Sequence, residues 1–170
     1  MKLSLCLLLA ALSSPSLAQP NPSDLNPPIL AISGEVDHPY QLTAADLQAM
    51  PRAKIQARDH DGQMKTFEGV SLWELVTRAK PRLGDKPKGA TAHGSLVVKA
   101  SDQYQAVFAL AEIDPAFTDN QIILADHCDG KPLPDSQGPF QVIVPADKIR
   151  ARWVRQVISL EVIVPGQGVK

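Results

Sequence analysis

Residues 53–76 read AKIQARDHDGQMKTFEGVSLWELV, and the order of signals within them decides the fold. Ile55 and Ala57 alternate with polar neighbours, the two-residue period of a strand with one face buried. Asp61-Gly62 is a hairpin signal, because a tight turn needs backbone conformations that glycine adopts without steric cost, and 64–67 form the returning strand. Ser71 then opens a helix over 72–80. Glu74 follows it at capping-box spacing, and Leu72, Leu75 and Val76 fall on one face. Pro81 ends that helix, since it cannot donate an amide to the preceding turn.

Working outward, 29–36 (ILAISGEV) is β-like, Asp37-His38-Pro39 is a turn, and Thr43 caps a short helix that runs to Met50 and stops at Pro51. The proline- and glycine-rich stretch 81–94 reads as loop. Strands are expected at 96–100 and 104–110 around a turn at 101–103. The short apolar run 122–125 is of the buried-strand type, Asp129-Gly130 marks a tight turn, and 140–144 and 153–164 complete the β pattern. Many strands with two or three short helices, and no regular strand-helix alternation, make the class α+β.

At the N-terminus, Lys2, the apolar stretch 3–12 and the small residues Ser16-Leu17-Ala18 have the form of a secretory signal at 1–18. The apolar stretch is about half the roughly 20 residues of a membrane-spanning helix, and no later segment approaches that length, so no direct membrane insertion is expected. Residues 19–28 have a tether's composition, one domain is expected over 29–164, and 165–170 form a tail. Without Lys2 the balance is 16 Lys and Arg against 18 Asp and Glu, which argues against a general affinity for nucleic acid or anionic lipid. Loss of Cys6 with the signal leaves Cys128 alone, so stability rests on packing rather than on an intrachain disulfide.

Four stretches in order resemble the oxidoreductase molybdopterin-binding domain of sulfite oxidase-type enzymes: 67–72 (FEGVSL), 98–104 (VKASDQY), 123–126 (ILAD) with 130–133 (GKPL), and 138–145 (GPFQVIVP) leading into 151–154 (ARWV). The resemblance implies mixed β-sheets, a few short helices and a pocket for a pyranopterin. In the enzymes a cysteine after the strand corresponding to 54–57 ligates molybdenum, a centre that takes soft sulfur donors. Here 55–61 reads IQARDHD, without sulfur, and Cys128 stands in another segment. The absent thiolate, with Asp-His-Asp-Gly at 59–62 and Ala-Arg-Trp-Val-Arg at 151–155, resembles a second group: periplasmic pterin-binding regulators of membrane-bound cyclic-di-GMP enzymes. That resemblance implies an exported, periplasmic, non-catalytic protein. It would bind a reduced pterin or a molybdopterin-like ligand, without a metal, and report to the periplasmic sensor domain of a membrane receptor. A molybdopterin-dependent oxidoreductase is the alternative, and a partner that kept only the fold is a third reading.

A pterin presents two aromatic faces and an edge with adjacent N–H donors, so its site calls for a directional acceptor at the edge and flat groups at the faces. Asp59, Asp102 and Asp126 are the candidate carboxylates; each can equally cap backbone amides in a turn. Tyr104, Trp153 and the guanidinium of Arg152 are candidate stackers, and both aromatics can equally belong to the core. Arg150, Arg152 and Arg155 suit a phosphate tail or an acidic partner, or are plain solvated charge. His60 joins the site beside Asp59. His60 and His127 would need to converge to hold a metal, and the sequence has no HExxH, paired CxxC or glycine-rich phosphate loop.

Overall fold

The computed structural model describes residues 29–84 and 87–165; the expected signal at 1–18, the tether at 19–28 and all of the tail beyond Pro165 lie outside the described residues. Two β-sheets carry the fold. The first contains β1 (Ile29–Gly34), β2 (Tyr40–Thr43), β5 (Ser95–Ala100), β6 (Gln105–Ala109) and β10 (Val157–Ile163), ordered β2-β1-β10-β5-β6. Only β1 and β10 run parallel in it. The second contains β3 (Ala53–Arg58), β4 (Met64–Ser71), β7 (Ile123–Cys128) and the two-residue β8 (Lys131–Pro132), with β9 (Gln141–Ile143) also on β7. The first sheet is thus mixed and the second pairs its strands antiparallel, with short helices between strands, as expected of the α+β class.

Alternation decides which face is buried. In β5, Leu96, Val98 and Ala100 are buried while Ser95, Val97 and Lys99 are less so, and β6 buries Ala106 and Phe108 between exposed neighbours. Leu30, Ile32, Leu160 and Val162 extend this apolar face across the first sheet. The second sheet differs, because the first four residues of β7 and all of β9 are buried. Continuous apolar sequence is what a strand covered on both sides requires. Phe67, Phe108 and Phe140, each fully buried, belong to the one core that the strands and helices share.

Helix α1 (Ala44–Gln48) begins at Thr43, whose hydroxyl accepts from the Asp46 amide at 3.2 Å while the Asp46 carboxylate accepts from the Thr43 amide at 2.8 Å. Helix α2 (Leu72–Arg78) begins at Ser71, but the reciprocal box with Glu74 is not formed. Ser71 accepts from the Trp73 amide, and Glu74 lies 3.8 Å from Arg78, one turn on. The loop expected at 81–94 contains helix α3 (Pro87–His93), which Pro87 at the first helical position initiates. Helix α4 (Leu110–Ile113) takes the end of the strand expected at 104–110, because the Glu112 carboxylate accepts from the Ala109 amide and starts a turn there. The strand expected at 153–164 begins only at Val157, after a 3-10 turn at Arg150–Arg152.

One glycine is required by proximity. Gly69 faces Ala125 across the β4–β7 ladder, next to an irregularity in the register, and a Cβ there would lie 2.0 Å from the Leu124 carbonyl oxygen. Gly69→Ala should lower stability by about 2 kcal/mol or more, as overpacking typically does. Gly62→Ala, at φ +83° with open space around it, should cost only about 1–2 kcal/mol of backbone strain. Urea unfolding of both variants checks the order, and equal losses would contradict the steric account.

Candidate functional site

Between the turns of two hairpins, one from each sheet, lies a cleft of about 420 Å³. The β3–β4 turn brings Asp59 and His60 to it, and the β5–β6 turn brings Asp102 and Tyr104. Gln141 enters from β9, Ser136 from the preceding loop, and Arg150, Ala151 and 153–156 from the chain that runs into β10. Five of the seven residues singled out in the sequence therefore line one cleft: Asp59, His60, Asp102, Tyr104 and Trp153.

Asp126 and Arg152 lie elsewhere. Asp126 is buried in β7, where Arg52 reaches both its oxygens at 2.5 and 2.9 Å and His127 Nδ1 lies 2.8 Å from it. Burial opposes ionisation of this carboxyl, but the Arg52 hydrogen bonds outweigh it and hold the pKa below the ordinary range. Arg152 donates twice to Asp147 and once to Glu112, with its guanidinium 4.9 Å above the Phe108 ring. It fastens β6 and α4 to the 3-10 turn, and lines a different hollow with Asn120 and Gln121. The sequence reading chose Asp126 as a carboxylate at a strand end or turn and Arg152 as a flat stacker. It could not see that each is held by a side chain of opposite charge.

Within the cleft, most polar groups are already engaged. Asp59 takes Lys65 at 2.5 Å and His60 Nδ1 at 2.9 Å, and accepts from the His60 amide. Burial would raise its pKa, yet these bonds prevail and lower it to about 2. Asp102 accepts from the Tyr104 amide in its own turn. Tyr104 donates its hydroxyl to the Ala151 carbonyl at 2.7 Å, tying the β5–β6 turn to the 3-10 segment while its ring stays half exposed. Trp153 is only 6 % exposed; its indole donates to the Val144 carbonyl, meets Phe67 edge-on at 5.6 Å and carries the Arg150 guanidinium 5.4 Å above its ring. Flat surface therefore reaches the cleft from the Tyr104 ring and from the Arg150–Trp153 stack.

Gln141 is the exception. It is 4 % exposed, and its Oε1 is the single fully buried side-chain polar atom without a hydrogen-bond partner among the described residues. A group in that state costs roughly 1–3 kcal/mol. Sequence reasoning missed it, although a lone amide inside the apolar run PFQVIVP was a usable signal. Arg150 and Arg155 also line the cleft, and only the first has a protein acceptor among the described residues, the Arg58 carbonyl.

Among the described residues, no sulfur lines this cleft. Cys128 is half-buried on β7 and lines a separate, more open hollow with Lys65, Asp129 and Asp59, the one residue common to both. Burial, then the Asp129 carboxylate, pushes its thiol pKa up, away from the thiolate a soft metal takes. His60 and His127 each pair with the aspartate before it, and the described residues contain no group of three or more His, Cys, Asp and Glu placed to share a cation.

The model of the oxidoreductase molybdopterin binding domain matches residues 20–165. The chain belongs to that family. The domain's characteristic ligand is a pterin-type cofactor, and an acceptor-bearing cleft with flat walls fits the pterin part of it. Among solved structures, the sulfane dehydrogenase SoxCD from Paracoccus pantotrophus has a similar fold, with a TM-score of 0.63 at 19 % identity. The similarity covers 79 % of this chain and 38 % of that one, so this chain corresponds to well under half of the SoxCD chain. No curated protein matches the sequence.

The lowered carboxyls have a consequence in acid. A carboxyl depressed in the folded state contributes stability that is complete above its unfolded pKa of about 4 and disappears as pH falls through its folded pKa. For Asp59 that window lies between pH 4 and about 2. Asp59→Asn should cost about 2 kcal/mol at pH 7, and the gap to the unaltered protein should narrow steadily from pH 4 to 2 in urea titrations. A gap independent of pH would contradict the ion pairing with Lys65.

Proposed function

We propose that this domain is an exported, non-catalytic pterin-binding module. It holds the ligand in the cleft between the β3–β4 and β5–β6 turns, and reports its presence to a membrane-bound partner with a periplasmic sensor domain, of the cyclic-di-GMP enzyme class. The observation that carries the reading is a cleft in a molybdopterin-binding domain that has flat walls but, among the described residues, no thiolate to anchor molybdenum. A pterin ring needs only the walls and the polar groups beside them. Export rests on the signal-like residues 1–18, and the partner class on the resemblance carried by 59–62 and 151–155.

The route to a partner follows from the same geometry. The turn containing Tyr104 and the 3-10 turn beside it meet at the cleft mouth, and next to them Ile149 is 79 % exposed. A ligand seated there touches residues whose neighbours face solvent, so its arrival changes the surface a partner meets. This requires only that the partner bind one state better than the other.

A molybdopterin-dependent oxidoreductase is the competing reading, favoured by the family itself. The two are separated by the contents of protein purified from the periplasm of a host able to make the molybdenum cofactor. The proposed function predicts a pterin chromophore released on denaturation, with molybdenum far below one atom per chain. Equimolar molybdenum would support the oxidoreductase, and failure of reduced pterins to bind at millimolar concentration would remove the pterin reading.

A further inference from the structure

Two carboxylates line the cleft, and they differ in what they have left to offer. Asp59 is buried, with Oδ1 taken by the amide and Nδ1 of His60 and Oδ2 by Lys65. Asp102 is exposed, and only its Oδ1 is engaged, by the Tyr104 amide two residues on. Its Oδ2 has no partner among the described residues. The other cleft side chains with capacity left are of different kinds. Arg150 and Arg155 can only donate, while the Ser136 hydroxyl and the His60 ring can serve either way, so none of these four selects strictly for donors.

The turn that holds this carboxylate also holds a flat group. Tyr104 donates its hydroxyl to the Ala151 carbonyl at 2.7 Å, which fixes its half-exposed ring, and its amide fixes Asp102. A heterocycle lying on that ring has the carboxylate beside it. We propose that Asp102 is the specificity residue of this site, its free Oδ2 and the lone pair left on Oδ1 accepting from two adjacent N–H groups of the bound ring. The inference rests on the pterin reading above and narrows it. A carboxylate has acceptors only, so it selects an edge with neighbouring donors and disfavours one that sets a carbonyl against it. The ligand class is therefore a heterocycle with a 2-amino-4-oxopyrimidine ring, whose amino group and ring N–H stand side by side. Lumazine, with an oxo group in place of that amine, is turned away by like polarity rather than by size.

An aspartate that only caps its own turn can be told apart from one that reads a ligand. Asparagine keeps a side-chain carbonyl for the Tyr104 amide, so Asp102→Asn preserves the turn, but it replaces Oδ2 by an amide donor that opposes the ligand's donors. Serine keeps a weaker acceptor for the same amide and puts nothing in place of Oδ2. Two ligands compared on one variant bind the same folded molecules, so the ratio of their affinities does not move when that variant is merely less stable.

The test uses the exported chain, unaltered and with Asp102→Asn or Asp102→Ser, titrated by calorimetry under nitrogen with 7,8-dihydropterin and with 7,8-dihydrolumazine. Expected are a preference of the unaltered chain for the pterin of about tenfold or more, equivalent to about 1.4 kcal/mol, and its collapse to within about threefold in both variants. Equal affinity of the unaltered chain for the two ligands would overturn the role of Asp102 and leave the pterin reading standing. The role would fall as well if the variants bound both ligands as the unaltered chain does, or lost affinity for both alike while keeping the preference, the behaviour of a residue that only shapes its turn. Absence of binding of either ligand by the unaltered chain at millimolar concentration would overturn both this inference and the proposed function.

Discussion

The two sheets are joined through three residues. β9 is bonded to β7 of the second sheet along one edge, and along the other Val142 and Phe140 exchange backbone bonds with Val154 and Val157, where the chain enters β10 of the first. Everything at the cleft depends on that seam. It fixes the separation of the hairpin turns that bring in Asp59 and Tyr104, and it carries Gln141 into the space between them. The seam is buried throughout, so its backbone groups must find partners within the protein; the Val142 amide and the Phe140 carbonyl find theirs in Val154 and Val157.

Around this seam, charge is used mainly for construction. Arg52 with Asp126, Lys65 with Asp59, and Arg152 with Asp147 and Glu112 each join segments distant in sequence or close a turn. Pairing holds the pKa of Asp59 and Asp126 below the ordinary range, and the field of these charges is largely spent on their partners. The cleft is left with an amide, a half-exposed tyrosine ring, the second oxygen of Asp102, a guanidinium stacked on an indole, and Arg155, which has no protein acceptor among the described residues. The ring and the stack suit a flat ligand.

The strand pattern was legible where physics acts locally. Alternation at Ile55 and Ala57, the Asp61-Gly62 turn and the buried run at 122–125 each correspond to observed elements. Helix α3 was hidden because proline and glycine near 81–94 also signal loop, and a proline at the first helical turn looks the same in sequence as one that breaks a helix. Of the residues singled out, those in turns share the cleft, since turn residues advertise themselves. Asp126 and Arg152 lie outside it because each is engaged by opposite charge that only the folded chain brings near, Arg52 being 74 residues from Asp126 and Glu112 being 40 from Arg152. Gln141 was passed over because a single amide in a core strand carries meaning only once its lack of a partner is seen.

Crystals grown with 7,8-dihydropterin would test the central claim most directly. The account predicts the ring lying between the Tyr104 ring and the Arg150–Trp153 stack. Pterin bound instead in the hollow beside Cys128, or a cleft empty of ligand, would contradict it.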